Sequence, residues 1–182
     1  MDFYLKICLT NLGKYNEGEL VFTTLPLPFS EDELAEALKK IGINEEYEEF
    51  FISDYEYDHL KYLEIGVYED IHRLNELAEM LVDLHHSVLE ELDLVMDDIH
   101  GKYSVDDFIF ELENGIKDKY TVLYGVEDLY DLGVILIDDL CYADVAEAIR
   151  PYFNFGKYAD DYLDDGTCIT DFDNERVIII HY

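Results

Sequence analysis

The residues of this chain that could do chemistry are its carboxylates, histidines and cysteines, and none of them forms a specific catalytic pattern. The sequence has 44 Asp and Glu residues, so close carboxylate pairs occur throughout and spacing alone cannot single out an acid–base pair. The pair His85-His86 lacks the second pair of ligands that a zinc site needs. We therefore expect no catalytic, cofactor-binding or metal-binding residues and no enzymatic activity.

Loops that bind phosphate or calcium are also not indicated. Residues 13–18 begin and end with glycine, but Glu19 and Leu20 follow instead of the Lys and Ser/Thr of a phosphate-binding loop. Residues 160–166 place carboxylates before a glycine, but not at alternating positions and without the closing Glu of a calcium loop. A calcium-buffering role is disfavoured for this reason.

The charge of the chain is extreme and evenly spread. The net charge is −32 over 182 residues, with a pI near 4.1, and residues 1–60, 61–120 and 121–182 contribute −10, −11 and −11. Such a chain has no basic excess with which to bind nucleic acid or an anionic membrane. Because 49% of the residues are hydrophobic and 14% are aromatic, the chain can build a core and must carry its charge on the surface.

Targeting signals and cysteine usage indicate a cytoplasmic protein. No apolar run approaches the roughly 18 to 20 residues of a membrane span, and the first residues lack a basic region and a cleavage site of the signal-peptide type. The three cysteines, Cys8, Cys141 and Cys168, are odd in number and far apart, which predicts reduced thiols.

The elements that must position the acids begin with a strand pattern. Apolar residues alternate from Phe3 to Leu9, a second strand is predicted over 19–25 and a third over 50–55. Gly13, Asn16 and Gly18 predict a turn after the first strand, and Pro26 and Pro28 are expected to end the second. Ser30 and Glu33 predict a capping box that opens a helix, for which Gly42 is a suitable stop.

Helical periodicity dominates the middle of the chain, and mixed structure follows. Apolar spacing predicts helices over 71–81, 88–99 and 105–112, with Ser104 as N-cap of the third. The remaining predicted elements are a strand over 120–124, helices over 126–140 and 144–149 (the latter ended by Pro151), and a C-terminal hairpin of 167–172 and 176–181.

These elements predict an α+β protein built as an elongated array of three small domains. Residues 1–66 form an α+β domain with an antiparallel sheet, residues 67–116 a helical bundle, and residues 117–182 an α+β domain with the C-terminal hairpin. Domains of this size bury too little surface to be stable alone, so neighbours must share contacts.

The number of charges invites a comparison with DNA. A duplex carries one negative charge per ~1.7 Å, so 32 charges correspond to roughly 16 base pairs or ~54 Å of axis. We hypothesise that carboxylates stand where a duplex presents phosphates, and that the protein occupies the basic groove of a DNA-binding enzyme. The candidate surface residues are Glu45, Glu46, Glu48, Glu49, Asp54, Glu56, Asp58, Glu69, Asp70, Glu76, Glu79, Asp83, Glu90, Glu91, Asp97, Asp98, Asp106, Asp107 and Glu111.

Four segments of the chain resemble the ArdA antirestriction family. They are NLGKYNEGELV over 11–21, EYEEF over 46–50 followed by DYE over 54–56, EDLYD over 127–131, and the closing stretch from Gly166 to Tyr182. The sequence departs from the family pattern after Val21, where Phe22-Thr23-Thr24 stands in place of Gly-x-Trp.

The resemblance implies a DNA mimic that inhibits type I restriction–modification enzymes at the DNA-binding site of the methyltransferase core. It also implies a homodimer formed through the C-terminal domain, encoded on a mobile genetic element of a bacterium. The antirestriction motif and dimer contact would involve Glu127, Asp128, Tyr130, Asp131, Asp138 and Asp139.

Two alternatives remain open at this point. The protein could imitate DNA toward another basic DNA-binding protein, or it could be an acidic, salt-adapted protein of unrelated function. The abundance of Ile, Leu, Phe and Tyr argues against salt adaptation.

Overall fold

A computed structural model describes residues 4–60, 62–99, 101–163, 167–172 and 175–181. It has mixed helices and small sheets, which confirms the predicted α+β class. The chain divides into two compact units, Met1–Asn114 and Gly115–Tyr182, here called the N-terminal and C-terminal units. The division into three domains, with boundaries after residues 66 and 116, and their elongated arrangement stay predictions.

A three-stranded antiparallel sheet lies at the centre of the N-terminal unit. In the order β2-β1-β3 it contains β1 (Leu5–Asn11), β2 (Phe22–Leu27) and β3 (Phe50–Tyr57). The predicted alternation is confirmed along β1, since Leu5, Ile7 and Leu9 are buried whereas Lys6 and Cys8 are half-buried. Phe3, where the predicted strand begins, lies outside the described residues.

The predictions between β1 and the end of β2 are confirmed only in part. The predicted turn contains a short helix, α1 (Leu12–Asn16), because the side chain of Asn11 accepts a hydrogen bond from the Lys14 N–H at 2.9 Å and caps it. The second strand, predicted over 19–25, spans Phe22–Leu27: it begins later than predicted, continues through Pro26 and ends just before Pro28. Pro26 is tolerated because β2 is an edge strand. In such a strand every second backbone N–H points away from the neighbouring strand and takes no part in the ladder.

Helix α2 (Glu31–Lys40) begins and ends as predicted. The Ser30 hydroxyl accepts from the Glu33 N–H, and the Glu33 carboxylate accepts from the Ser30 N–H at 2.8 Å, which confirms the capping box. Gly42 follows the helix with a φ of +78°, a conformation that glycine adopts without strain.

Three further helices complete the N-terminal unit and are confirmed: α3 (Ile71–Val82), α4 (His86–Ile99) and α5 (Val105–Glu113). Asp70 caps α3, and Ser104 caps α5 as predicted. The sequence does not predict β4 (Leu63–Glu64) and β5 (Tyr103–Ser104), which pair in parallel. Two-residue strands are too short to leave a periodic pattern.

Polar side chains tie these helices to the segments that flank the sheet. The Asn75 amide of α3 accepts from the Phe29 N–H at 2.7 Å and donates to the Phe29 carbonyl at 3.2 Å. Asp93 of α4 accepts from the Leu60 N–H at 2.6 Å, and its other oxygen lies 3.1 Å from His59 Nδ1. Leu60 is buried with a φ of +68°, which is strained for leucine, so Asp93 holds this backbone in place.

The C-terminal unit has a second three-stranded antiparallel sheet, in the order β6-β8-β7. Its strands are β6 (Tyr120–Tyr124), β7 (Thr167–Phe172) and β8 (Glu175–His181), which confirms the predicted strand and hairpin. Ile178 and Ile180 of β8 form a core with Leu132 and Leu136. These leucines belong to α6 (Leu129–Asp138), which packs on α7 (Phe155–Leu163). The contact needs Gly133, because a Cβ there would lie 2.1 Å from the Phe155 carbonyl oxygen.

Two predictions between β6 and β7 need correction. The helix predicted over 126–140 extends only over α6, and the helix predicted over 144–149 is wrong. Those six residues are irregular and lead into a 3-10 turn, Arg150–Tyr152. The run is too short to sustain itself, and Pro151 lacks the N–H that an α-helix continuing through it would need. The sequence analysis does not predict α7, although Asn154 caps it by accepting from the Lys157 N–H at 3.0 Å.

Candidate functional site: the acidic surface

The acidic side chains lie outside both cores. Among the described residues, the buried polar side chains are Thr10, Asn11 and His59. Every Asp and Glu whose side chain is described is exposed or half-buried. The negative charge of the described acids is therefore a property of the surface, as the composition predicts.

One dense group of acids precedes β3. Glu45, Glu46, Glu48 and Glu49 are exposed and flank Tyr47, which is half-buried. The Asn44 side chain shapes the segment, since its Oδ1 accepts from the N–H groups of Glu46 and Tyr47 at 2.8 and 3.1 Å. The Tyr47 hydroxyl donates to Glu17 at 3.0 Å, and its ring packs so closely on Gly13 that a Cβ there would lie 2.4 Å from it.

Acids on β3 share one face of the sheet with the cation Lys6 of β1. Asp54 and Glu56 are exposed and lie opposite Cys8 and Lys6 of β1. Lys6 forms an ion pair with Glu56, and this hydrogen bond is the main reason that the pKa of Lys6 is raised above its ordinary value. Asp58, just beyond the strand, is also exposed.

The predicted acids of the helical part of the N-terminal unit are not equivalent. Asp70 caps α3, the Glu69 carboxylate accepts from the Gly66 N–H at 3.2 Å, and Asp107 accepts from the Ser104 hydroxyl at 2.7 Å. The remainder lie on helix surfaces or at helix ends and are exposed or half-buried: Glu76, Glu79, Asp83, Glu90, Glu91, Asp106 and Glu111. Asp97 and Asp98 belong to α4, but their side chains lie outside the described residues.

A few cations neutralise particular acids. The Arg73 guanidinium bonds both Glu76 and Asp106, with Nε 2.9 Å from the latter. Arg150 pairs with Asp138, and Lys102 lies 3.0 Å from Glu64. These acids add less to the net field than the unpaired ones, a distinction that composition alone does not reveal.

The pKa values of two carboxylates are shifted in opposite directions. Hydrogen bonds from the backbone and hydroxyl of Ser30 lower the pKa of Glu33. Partial burial on α4 raises the pKa of Glu91, because desolvation penalises its charged form. The pKa of Tyr47 is raised chiefly by its hydrogen bond to Glu17, so this phenol stays protonated beside the acids.

The residues of the predicted antirestriction motif lie at the two ends of α6. Glu127, Asp128, Tyr130 and Asp131 are at its start and Asp138 and Asp139 at its end, and a ten-residue helix is roughly 15 Å long. Asp128 is the N-cap and accepts from the Tyr130 and Asp131 N–H groups at 2.8 and 3.0 Å. Tyr130 is 56% exposed, and its ring meets Phe155 edge-on at 5.5 Å.

Several exposed acids are absent from the predicted surface. Glu31, Asp32 and Glu36 lie on the outer side of α2, and Glu17 and Glu19 follow α1. The amphipathic pattern of α2, with Leu34 and Ala37 inside, already contained the signal for its three acids.

The described part of the chain contains neither a metal-binding cluster nor a membrane-spanning helix. There, no group of three or more His, Cys, Asp or Glu residues is placed to hold a metal ion, and no helix combines the length and apolarity needed to cross a membrane. Cys8 and Cys141 are free thiols, whereas the side chain of Cys168 lies outside the described residues.

Fold and surface together define an acidic α+β protein whose exceptional feature is its anionic exterior. The family comparison specifies this class further: the chain matches the ArdA antirestriction protein family over residues 7–172 and belongs to that family. Antirestriction, action against restriction–modification enzymes, is therefore its functional class. A search of curated proteins found no match.

Proposed function

We propose that this protein inhibits type I restriction–modification enzymes by imitating DNA. Its surface carboxylates take the place of phosphates, and the protein occupies the DNA-binding groove of the methyltransferase core. The observation that carries the proposal is that all described acids lie at the surface of a chain with a net charge of −32. No catalytic step is needed, because an occupied groove cannot bind DNA.

The negative surface charge favours binding to a basic DNA-binding groove. Complementary potentials accelerate association and suppress wrong partners, and both effects weaken as salt screens them. Several described cations are committed to local pairs, such as Lys6 with Glu56 and Arg73 with Glu76 and Asp106. The remaining acids give the surface a strong excess of negative charge toward a basic partner.

The assembly and setting of the inhibitor belong to the same proposal. A homodimer formed through the C-terminal unit would double the charge to the equivalent of roughly 32 base pairs. The motif residues at the ends of α6 would lie near this contact. The protein would act in the cytoplasm of a bacterial host that carries it on a mobile genetic element.

A displacement assay tests the proposal. Purified type I methyltransferase is loaded with labelled target duplex and titrated with the protein in low salt, with polyglutamate at equal total charge as the control. We expect release of the duplex at near-stoichiometric protein, and much less release by polyglutamate, because a folded scaffold holds its charges in place. No release at stoichiometric amounts would remove the proposal.

A parallel titration separates the alternatives. Equal displacement of DNA from an unrelated basic DNA-binding protein, with none from the methyltransferase, would favour a mimic with another target. Displacement from neither would favour an acidic, salt-adapted protein of different function.

A further inference from the structure

A groove in the N-terminal unit is lined by apolar, aromatic and acidic residues. It is a surface depression of about 410 Å³ lined by Leu12, Glu48, Glu49, Phe50 and Tyr68, here called the Tyr68 groove. Two backbone hydrogen bonds assemble it. The Leu12 N–H donates to the Glu49 carbonyl at 3.0 Å, and the Ile52 N–H donates to the Val67 carbonyl at 2.9 Å, which brings Tyr68 beside the start of β3.

Three side chains of this groove, those of Tyr68, Glu48 and Glu49, are exposed. Tyr68 leaves 75% of its surface exposed, so its ring adds little to the core. Glu48 and Glu49 are exposed, and neither forms an ion pair with another residue in the described ranges. The same two glutamates border an adjoining depression of about 360 Å³ lined by Glu45, Glu46, Tyr47 and Gly13.

We propose that the Tyr68 groove receives an arginine side chain from the DNA-binding surface of the partner protein. A guanidinium plane stacks on an aromatic ring and donates paired hydrogen bonds to carboxylates. Its three methylenes would pack on Leu12 and Phe50. Lysine fits less well, because its ammonium is a point charge with a tighter hydration shell.

The neighbouring Tyr47 supplies an internal example of this chemistry. Lys14 Nζ lies 5.2 Å from the centroid of the Tyr47 ring and 3.3 Å from the Glu19 carboxylate. A cation of the chain itself is thus held between a ring and a carboxylate on the surface next to the groove. In the Tyr68 groove, ring and carboxylates are present without such a cation among the described residues.

This inference rests on the proposed function for the identity of the partner, and it adds an aromatic and apolar contact that a phosphate does not offer. Phosphates attract any cation, whereas a groove with an aromatic wall prefers arginine. A restriction enzyme would therefore bind the inhibitor partly through a contact that salt screens weakly, since dispersion and apolar packing do not depend on ionic strength.

A site-resolved titration tests the groove without the enzyme. The protein is labelled with 3-fluorotyrosine, the Tyr68 and Tyr152 signals are assigned by their loss in Tyr68→Phe and Tyr152→Phe, and tri-arginine or tri-lysine peptide is added. Tyr152 is the matched control, because it is 88% exposed and lies in the other unit. We expect the Tyr68 signal to respond to tri-arginine at about two- to fivefold lower concentration than to tri-lysine, and the preference to disappear in Glu48→Gln/Glu49→Gln. An equal arginine preference at Tyr68 and Tyr152, or none at Tyr68, would overturn the inference.

The displacement assay then tests the inference about the groove separately from the proposed function. We expect Tyr68→Ala to need several-fold more protein than the wild type to release DNA from the methyltransferase, and Tyr152→Ala to match the wild type. If Tyr68→Ala also matches the wild type, the target does not use the groove and the inference fails while the proposed function stands. If the wild type releases no DNA, the proposed function fails, and with it the assignment of the groove to this partner, whatever the peptide titration gives.

Discussion

At the scale of single residues, the carboxylates of this protein have two roles: some stabilise the backbone through hydrogen bonds, and others contribute surface charge. Asp70 and Asp128 cap helices, and Asp93 holds a strained backbone turn through the Leu60 N–H. Glu48 and Glu49 face solvent without a cation among the described residues. Residue type does not separate these roles, and only the geometry around each carboxylate shows which substitutions would disturb the fold and which would disturb the charge.

Asp93 provides a stability prediction. Asp93→Ala removes the acceptor of the Leu60 N–H and the partner of His59 Nδ1, so we expect a loss of about 2 to 3 kcal/mol in the free energy of unfolding. Urea denaturation followed by far-UV circular dichroism measures it. Asp83→Ala, at an exposed site at the end of α3, is the control and should change stability little. Equal effects of the two substitutions would show that Asp93 acts only through its charge.

Glu91 provides a pH prediction. Its pKa is raised by burial in the folded state, so folding costs free energy once the pH lies above that folded pKa, and the cost vanishes below the ordinary glutamate pKa of about 4.3. We expect Glu91→Gln to raise the melting temperature at pH 8 and the gain to shrink as the pH falls toward 5. Glu113→Gln, which removes one charge from an exposed site, controls for general relief of repulsion. The same gain for both variants at every pH would contradict the desolvation argument.

At the scale of elements, α6 joins a structural role to a predicted functional one. Its inner side packs Leu132 and Leu136 on β8, and Gly133 admits the backbone of α7. Its acids stand at both ends. Carboxylates at the start of a helix interact favourably with the dipole, whereas Asp138 and Asp139 at the end oppose it, and Arg150 offsets this by pairing with Asp138.

Four aspartates of α6 can be neutralised together without removing the cap. Changing Asp128, Asp131, Asp138 and Asp139 to Asn keeps an N-cap acceptor at 128, so we expect a folded protein. Inhibition or dimerisation should nevertheless weaken several-fold, as measured by DNA displacement and by sedimentation. A control variant removes four charges from the N-terminal unit, through Glu31→Gln, Asp32→Asn, Glu36→Gln and Glu113→Gln. If the α6 variant and the control behave alike in both assays, the aspartates of α6 have no particular role in inhibition or dimerisation.

At the scale of the whole molecule, the repulsion among the acids dominates the response to salt. With a net charge of −32, compaction works against self-repulsion that is screened beyond about 10 Å at 0.1 M salt. We expect the melting temperature to rise as NaCl increases from about 0.02 to about 0.5 M, while affinity for a basic target falls over the same range. A melting temperature that decreases with added NaCl would contradict this expectation.

Much of the secondary structure follows from short-range patterns in the sequence. The alternation in β1, the capping box of Ser30 and Glu33, and the Ser104 cap of α5 each depend on a few neighbouring residues. Predictions failed where tertiary contacts decide. Pro26 stays in a strand because that strand is at an edge, and α7 forms where its inner face packs on α6.

The sequence by itself determined the α+β class, most of the helices and strands, and the position of the charge outside the core, because burial of a lone carboxylate costs more than a fold can supply. Tertiary structure alone decided which acids pair with cations distant in sequence, such as Asp106 with Arg73, and which have no such partner among the described residues. It also placed Tyr68, which is distant in sequence from Glu48 and Glu49, beside them in one groove. The physical reason is that charge and periodicity are local properties of the chain, whereas a binding groove is made by the backbone hydrogen bonds that bring separate segments together.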